Sequence, residues 1–306
     1  MSFYRQSVSF FRKRHYRYFR RVVENRLFYW IFSRLTLKWS EAIEIYSGYT
    51  LYLNPVFHGQ FREPADVEEY EQDVKHALAL LVDKGVCVYD VGANIGILTL
   101  FAAKLTGDAG RVYAFEPEDV NLACLRKTRE RNRLANVEVL ETCVTSLSDT
   151  VVFDRRGGAF SGRAVYQGTP PISRNLCQKP SVSLDDFVFL HGNRPPNVVK
   201  IDVEGNEAAV LQGMAGILQK YKPSLICELH SHLGDNLTPV YSLLTESGYS
   251  LFRLSEWLQG GQQELQSLRG TSHIVALKKV DAVCQGPAET AGIQRQSSRP
   301  LKEDAG

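Results

Sequence analysis

The sequence predicts an α/β domain built on a mostly parallel sheet with helices on both faces. Three observations lead there. From Val86 the chain alternates short apolar strands with helical segments: V-C-V-Y-D-V, I-L-T-L-F-A-A-K-L, R-V-Y-A-F-E, a helix through Arg131, then V-E-V-L. That is the βαβαβ pattern of a parallel sheet. The alternation resumes with V-V-K-I-D-V, a helix from Glu207 to about Gln219, S-L-I-C-E-L-H and a helix near Val240 to Thr245, and closes on the strand candidates Y-S-L-F-R-L and H-I-V-A-L-K-K. Finally, the strand V-Y-D-V runs directly into the glycine turn Gly92-Ala93-Asn94-Ile95-Gly96. In such sheets ligands bind beside turns of this kind, at the carboxyl ends of the strands.

Four regions follow from these patterns: a basic-aromatic helical extension over residues 1–40, a hairpin and helix over 41–84, the α/β domain over 85–280, and a polar tail over 281–306 expected to be disordered. In the first region Arg12, Lys13, Arg14, Arg17, Arg20, Arg21 and Arg26 are interleaved with Phe10, Phe11, Tyr16, Tyr18, Phe19, Phe28, Tyr29 and Trp30. A helix of this composition suits an anionic membrane surface, and it equally suits packing on the domain or on a second copy. Next, A-I-E-I-Y-S-G-Y-T-L-Y-L alternates around Ser47-Gly48 and reads as a β-hairpin. One helix is expected after it, with Pro64 in its first turn, Asp66, Glu68 and Glu69 near its positive end, and Val74, Leu78, Leu81 and Val82 as its buried stripe. Between 144 and 180 only Val151-Val152-Phe153 reads as a strand. Gly157 to Gly162 and Pro170-Pro171 read as a long loop of the kind that forms binding elements.

Composition narrows the function classes. The 36 basic and 34 acidic residues leave a formal charge of +2, so no nucleic-acid partner is expected. Cys87, Cys124, Cys143, Cys177, Cys227 and Cys284 show no C-x-x-C spacing and read as reduced thiols of a cytoplasmic protein. No apolar run is long enough for a transmembrane helix, and the N-terminus lacks the apolar core of a secretory signal; peripheral membrane contact is the remaining alternative.

The glycine turn carries the chemistry. Its spacing is G-x-x-x-G with Asn94 inside, unlike the G-x-G-x-x-G of a dinucleotide-dependent oxidoreductase. Asp90, two residues before Gly92, would repel a phosphate and attract a cation such as the ammonium or sulfonium of S-adenosylmethionine. Glu116 ends the next strand, where an acid can accept hydrogen bonds from both ribose hydroxyls or, more simply, favour the following helix. The cofactor-binding candidates are therefore Asp90, Gly92, Asn94, Gly96 and Glu116. Two later strands end in charged pairs, Lys200 with Asp202 and Glu228 with His230, which are costly in a buried strand unless paired or functional. A Lys200 to Glu228 salt bridge is the structural reading; Asp202 and His230 are the better functional candidates.

Taken together, V-Y-D-V-G-A-N-I-G, A-F-E-P, S-L-D-D-F, V-V-K-I-D-V-E-G-N-E and P-S-L-I-C-E-L-H resemble the FkbM family of methyltransferases, in consistent order over about residues 85 to 255. The resemblance implies a class I methyltransferase, Rossmann-like fold with a mostly parallel seven-stranded sheet, S-adenosylmethionine as methyl donor, and O-methylation of a hydroxyl on a small molecule, natural product or glycan. It maps the family's glycine loop onto Asp90 to Gly96, its ribose acid onto Glu116 and its K-I-D-x-E-G motif onto Lys200 to Gly205. A methyltransferase-like scaffold without catalysis is the rival, which the intact glycine turn and Glu116 disfavour. The catalytic candidates are Asp202, Glu204 and His230, with Glu204 or His230 as general base. Asp202, Glu228 and His230 also stand where some O-methyltransferases of this general fold hold a divalent cation. A metal-free mechanism is preferred, because Lys200 can already neutralise Asp202 or Glu228.

Overall fold

The structure, a computed structural model, describes residues 39–46, 48–61, 63–155, 162–165, 175–230 and 237–279. The basic-aromatic segment before Trp39, Ser47, most of the expected loop from Gly157 to Pro171 and the polar tail lie outside the described residues. No helix of the described residues is long and apolar enough to cross a membrane.

The hairpin forms as β1 (Glu41–Ile45) and β2 (Tyr49–Leu53), paired antiparallel. The sheet that follows comprises β3 (Cys87–Val91), β4 (Arg111–Phe115), β5 (Val137–Leu140), and, later in the chain, four more strands. Between β3 and β5 lie α3 (Ile97–Thr106) and α4 (Asp119–Arg131), the first two helices, α1 (Pro64–Glu68) and α2 (Gln72–Leu81), having preceded β3. A smaller sheet interrupts the alternation, formed by β6 (Cys143–Val144), β7 (Asp149–Asp154), β8 (Arg163–Val165) and β9 (Leu176–Val182) in the order β6-β9-β7-β8. A π-helical turn (Asp186–Leu190) leads into β10 (Val198–Ile201), α5 (Glu207–Gln212), α6 (Ala215–Lys220), β11 (Ser224–Glu228), α7 (Thr238–Glu246), β12 (Tyr249–Arg253), α8 (Leu254–Leu258) and β13 (His273–Lys278).

The main sheet runs β12-β13-β11-β10-β3-β4-β5, parallel except for β13, which pairs antiparallel with both β11 and β12. This is a doubly wound order with an antiparallel strand inserted near one edge, the class I methyltransferase arrangement. Side chains alternate across the strands. Tyr89, Val91, Phe115, Ile201 and Cys227 pack on one face with α5, α6 and Phe187, while Val88, Val112, Val198, Ile226 and Val275 pack on the other with α2, α3 and α8. The hairpin is fastened to α4 through its backbone: Asn132 accepts from the Thr50 amide (2.8 Å) and donates to its carbonyl (2.6 Å), and Thr128 accepts from the Tyr52 amide (2.9 Å). These side chains cover groups that an edge strand would otherwise leave open.

Three expectations are corrected. The helix expected from Pro64 onward is two helices, because Glu71 takes a left-handed conformation (φ 46°) and the Lys75 ammonium caps the Val67 (2.7 Å) and Glu68 (3.0 Å) carbonyls that end α1. The helix from Glu207 to Gln219 also divides. A Cβ on Gly213 would stand 2.0 Å from the Thr145 carbonyl oxygen, which requires glycine there, and the next residue, Met214, leaves helical geometry (φ −128°, ψ 19°). The Gly213 carbonyl instead accepts from the Asp185 amide (2.8 Å), and the Asp185 carboxylate accepts from the Gly216 (2.8 Å) and Ile217 (2.9 Å) amides that open α6. The third correction concerns 144–180, where β8 and β9 accompany the one strand expected. β8 is three residues long, and Pro180 within β9 argues from sequence against a paired strand.

The Asp185 contacts give the first test. Asp185→Ala leaves two amides at the start of α6 without their acceptor and should lower the unfolding free energy by about 1–3 kcal/mol. Urea denaturation reads this as a lower midpoint at unchanged slope. An unmoved midpoint would show that the two amides are satisfied without it.

Candidate functional site

The strand order reverses between β3 and β10, and a crevice opens at their carboxyl ends. Gly92 follows β3 and Asp202 follows β10. The two touch: a Cβ added at Gly92 would lie 1.8 Å from the Asp202 carbonyl oxygen, and Gly92 has φ +79°. Only glycine satisfies both conditions. At the other end of the turn, Gly96 (φ +91°) packs against Leu125, which a Cβ would approach to 2.3 Å. The Gly92 and Ala93 amides both donate to the Phe115 carbonyl (3.0 Å each), which ties the turn to the end of β4.

Asn94, itself left-handed (φ 53°), donates its amide to Glu116 Oε2 (2.8 Å) and accepts from the Ile95 amide through its own side chain (2.8 Å). The other carboxylate oxygen of Glu116 accepts from the Glu118 amide (2.7 Å) and the Asn121 side chain (3.4 Å). Burial pushes the Glu116 carboxyl up to about 7, against these donors. Behind Asn121 stands a group that sequence reasoning did not single out. His58 accepts the Asn54 amide at Nδ1 (2.9 Å), so its Nε2 carries the proton and donates to Asn121 Oδ1 (2.9 Å). That bond turns the amide so that its NH₂ faces Glu116. Burial lowers the imidazole to about 4 and keeps it neutral.

Asp90 is only 2% exposed. It accepts from the Thr99 hydroxyl (2.5 Å) and stands 3.5 Å from the Lys200 ammonium, which donates to the Gly92 carbonyl (2.9 Å) and to Asp202 (3.4 Å). Lys200 thus pairs with Asp90 and with Asp202, one of the two acids it was expected to be able to neutralise, and the alternative bridge to Glu228 does not form. Glu228 is paired with His273 (3.4 Å).

His230, 4% exposed, is bonded through Nδ1 to Glu207 (2.7 Å), while its Nε2 stands among three carboxylates: Glu228 (3.6 Å), Asp202 (3.7 Å) and Glu204 (3.8 Å). Glu207 also accepts from the Gly205 amide (3.0 Å). Burial alone would lower the His230 pKa, but the Glu207 hydrogen bond and the charges of Glu204, Glu207 and Asp202 outweigh it and raise it to about 9. For Asp202 burial prevails over Lys200 and raises the carboxyl. Burial likewise pushes the Glu228 carboxyl up, but His273, His230 and Lys200 reverse that and hold it below the usual range.

Two cavities flank the glycine turn. The larger, with about 610 Å³ of empty space, is lined by Gly92, Asn94, Glu116, Asp202 and Glu204 among others; a smaller one beside it is bounded by Tyr70, Glu71, Lys200 and Asp202. Neither is lined by Asp90, Gly96 or His230. Asp90 reaches the crevice through Lys200, and His230 through the carboxylates around it. Asp202, Glu228 and His230 each offer a ligand atom within 4.8 Å of the others, a grouping able to hold a divalent cation. Glu207, His273, Tyr70 and Glu71 were missed from the sequence; the E-G-N-E run held the one available signal, an acid opening a helix. The arrangement offers hydrogen-bond acceptors for a nucleoside at Glu116, carboxylates for a cationic centre, and a charged cluster that can take up a proton.

Comparison with known proteins adds the family. The Methyltransferase FkbM domain profile matches residues 90–251. The chain is 31% identical over 182 residues to the hexuronic acid methyltransferase AglP of Haloferax volcanii, covering 59% of this chain and 70% of that protein. It is 28% identical over 210 residues to the 31-O-demethyl-FK506 methyltransferase FkbM of Streptomyces tacrolimicus, covering 58% and 78%. A solved methyltransferase FkbM from Methylobacillus flagellatus aligns with TM-score 0.46 and 18% identity over 70% of this chain; the match spans half of that solved chain.

The His230 environment gives a pH test. Its folded value of about 9 lies above the ordinary 6.5, so the stability it contributes is complete below pH 6.5 and is lost as pH rises through 9. The loss from this group should be on the order of 2–3 kcal/mol. Unfolding titrations should therefore fall more steeply with pH in the parent protein than in His230→Gln over that interval. Parallel slopes would mean that the imidazole is neutral at neutral pH.

Proposed function

The chain belongs to the FkbM methyltransferase family, and on that premise we propose that it transfers the methyl group of S-adenosylmethionine to a hydroxyl of a small molecule or glycan. The observation that carries this reading is the large cavity, in which Glu116 and the glycine turn share one lining with Asp202 and Glu204. Glu116 Oε2 keeps a lone pair beyond the Asn94 amide, and Oε1 gains one when the long Asn121 bond (3.4 Å) gives way, so the ribose hydroxyls can donate to them. The name of one curated relative, acting on an O-demethylated natural product, supports a hydroxyl acceptor, and that of the other, acting on a hexuronic acid, supports a sugar-derived one.

S-Adenosylmethionine supplies an already activated methyl group, so the chain's task is to align acceptor and donor and to remove the hydroxyl proton. Of the three catalytic candidates, Asp202 and Glu204 line the cavity and His230 does not. Asp202 is committed to Lys200. We assign the proton to Glu204, whose left-handed backbone (φ 55°) is the kind of local strain that collects at functional sites. His230, protonated at neutral pH, is reassigned from general base to positioning residue, its positive charge holding Asp202, Glu204 and Glu228 together. The grouping of Asp202, Glu228 and His230 favours a second reading, in which a divalent cation binds the acceptor oxygen. The metal-free reading is preferred because Lys200 and His273 already neutralise Asp202 and Glu228.

Calorimetric titration with S-adenosylmethionine and S-adenosylhomocysteine tests the cofactor; a folded protein that binds neither would refute the reading. Glu116→Ala should weaken S-adenosylhomocysteine binding by about 2–4 kcal/mol, two charge-assisted hydrogen bonds in a shielded pocket. Unchanged affinity would leave Glu116 a structural acid that serves α4 and the Asn94 turn. For the proton transfer, Glu204→Gln should slow turnover by roughly 10²–10⁴ with cofactor affinity preserved, and chelator should change nothing. Activity abolished by chelator and restored by Mg²⁺ or Mn²⁺ would transfer Asp202, Glu228 and His230 to the metal.

A further inference from the structure

Arg163 has no part in holding the nucleoside or in removing the hydroxyl proton. It lies on β8, lines the large cavity and is only 4% exposed. A guanidinium withdrawn from water is strongly disfavoured unless an anion and hydrogen bonds replace its hydration. The other basic groups buried near the crevice are compensated in that way: Arg155 pairs with Glu118 (3.2 Å) and Asp119 (2.5 Å), Lys179 with Asp119 and Glu141, and Lys200 with Asp90 and Asp202. Among the described residues no carboxylate pairs with Arg163, and its Nε is buried without a hydrogen-bond partner.

The neighbouring acids do not change this. Asp154 stands opposite Arg163 in the strand pair and is buried, but it forms no ion pair with Arg163 among the described residues. Glu118 is held by Arg155, Asp202 by Lys200, Glu116 by the Asn94 and Glu118 amides, and Glu204 stands beside His230. Nor does the adjoining sequence contain a carboxylate: residues 155 to 175 include Arg155, Arg156, Arg163 and Arg174 and no Asp or Glu. The position of Arg163 relative to the proposed base is fixed through the backbone, since the Asn206 side chain donates to the carbonyl of Ala164 (2.8 Å), joining β8 to the segment that carries Glu204.

We propose that Arg163 receives an anionic group of the methyl acceptor, so that the acceptor is a hydroxy acid of the sugar-acid class whose carboxylate pairs with this guanidinium while its hydroxyl meets Glu204. The inference rests on the methyl-transfer reading of the cavity. An arginine fork grips a carboxylate through two parallel N–H bonds and so fixes orientation as well as charge, which selects one hydroxyl among several on a polyol.

Calorimetry on the full-length chain tests it in two stages. S-Adenosylhomocysteine and methylthioadenosine, which lacks the amino-acid carboxylate, are titrated first; D-glucuronate and D-glucose are then titrated into the S-adenosylhomocysteine-saturated protein. Glucuronate should bind at least about tenfold more tightly than glucose. Arg163→Gln should abolish that difference and Arg163→Lys retain part of it, with S-adenosylhomocysteine affinity unchanged in both variants, which also shows that they are folded. Equal binding of the two sugars, or binding of neither, would overturn the proposal and leave the cofactor reading standing. If Arg163→Gln weakens S-adenosylhomocysteine but not methylthioadenosine, the arginine reads the cofactor's own carboxylate, and the proposal fails. A parent protein that does not bind S-adenosylhomocysteine at all removes both readings.

Discussion

The ammonium of Lys200 sits at the reversal of the sheet, and the crevice is assembled around it. It bonds the Gly92 carbonyl at 2.9 Å and lies 3.4 Å from Asp202 and 3.5 Å from Asp90, so it joins the turn after β3 to the end of β10. Burial alone would strip a lysine of its proton; here Asp202, Asp90, Glu71 and Glu228 outweigh burial and hold the pKa above its ordinary value. The same attachment explains why Gly92 carries no side chain, because the Asp202 carbonyl occupies the space a Cβ would need. Removing one member of a buried charge set leaves the others uncompensated, which is why such sets are hard to alter piecemeal. The turn, the acid after β10 and the two cavities therefore share one electrostatic support.

Around His230 the balance of charge has the opposite sign. Asp202, Glu204, Glu207 and Glu228 surround one imidazolium, with Lys200 and His273 at the margin. A cluster with this surplus of carboxylates favours positive charge placed near it. That preference suits a sulfonium donor approaching along the glycine turn, and it distinguishes the crevice from a phosphate-binding one, which would present amide donors and bases. Arg163 lies away from this cluster on the smaller sheet, so the cavity has an acidic side and a basic group in the same lining.

The strands and helices of the main sheet were legible because burial on both faces demands continuous apolar runs, as in C-V-Y-D-V and V-V-K-I, and little else in a sequence imitates them. The glycine turn was legible for the same kind of reason: its two glycines are required by positive φ and by close approach. The smaller sheet was not. Two of its strands span only two and three residues, and the longest, L-C-Q-K-P-S-V, contains Pro180 and no continuous apolar run. Asp90, Asp202, Glu204 and His230 lie around the ends of β3, β10 and β11, yet their division of labour depends on which atoms meet. Asp90 turns to Thr99 and Lys200, and His230 is claimed by Glu207, an acid that reads in sequence only as the start of a helix. The S-L-D-D-F segment shows the converse, since its Asp185 caps α6 and serves the fold.

The central claim is that a nucleoside lies across the glycine turn with its ribose on Glu116. A crystal structure of the full-length chain with S-adenosylhomocysteine tests this most directly. The account predicts both ribose oxygens within hydrogen-bond distance of the Glu116 carboxylate and the thioether between the Gly92 turn and Asp202. A nucleoside bound elsewhere, or one in this cavity whose ribose makes no contact with Glu116, would contradict it.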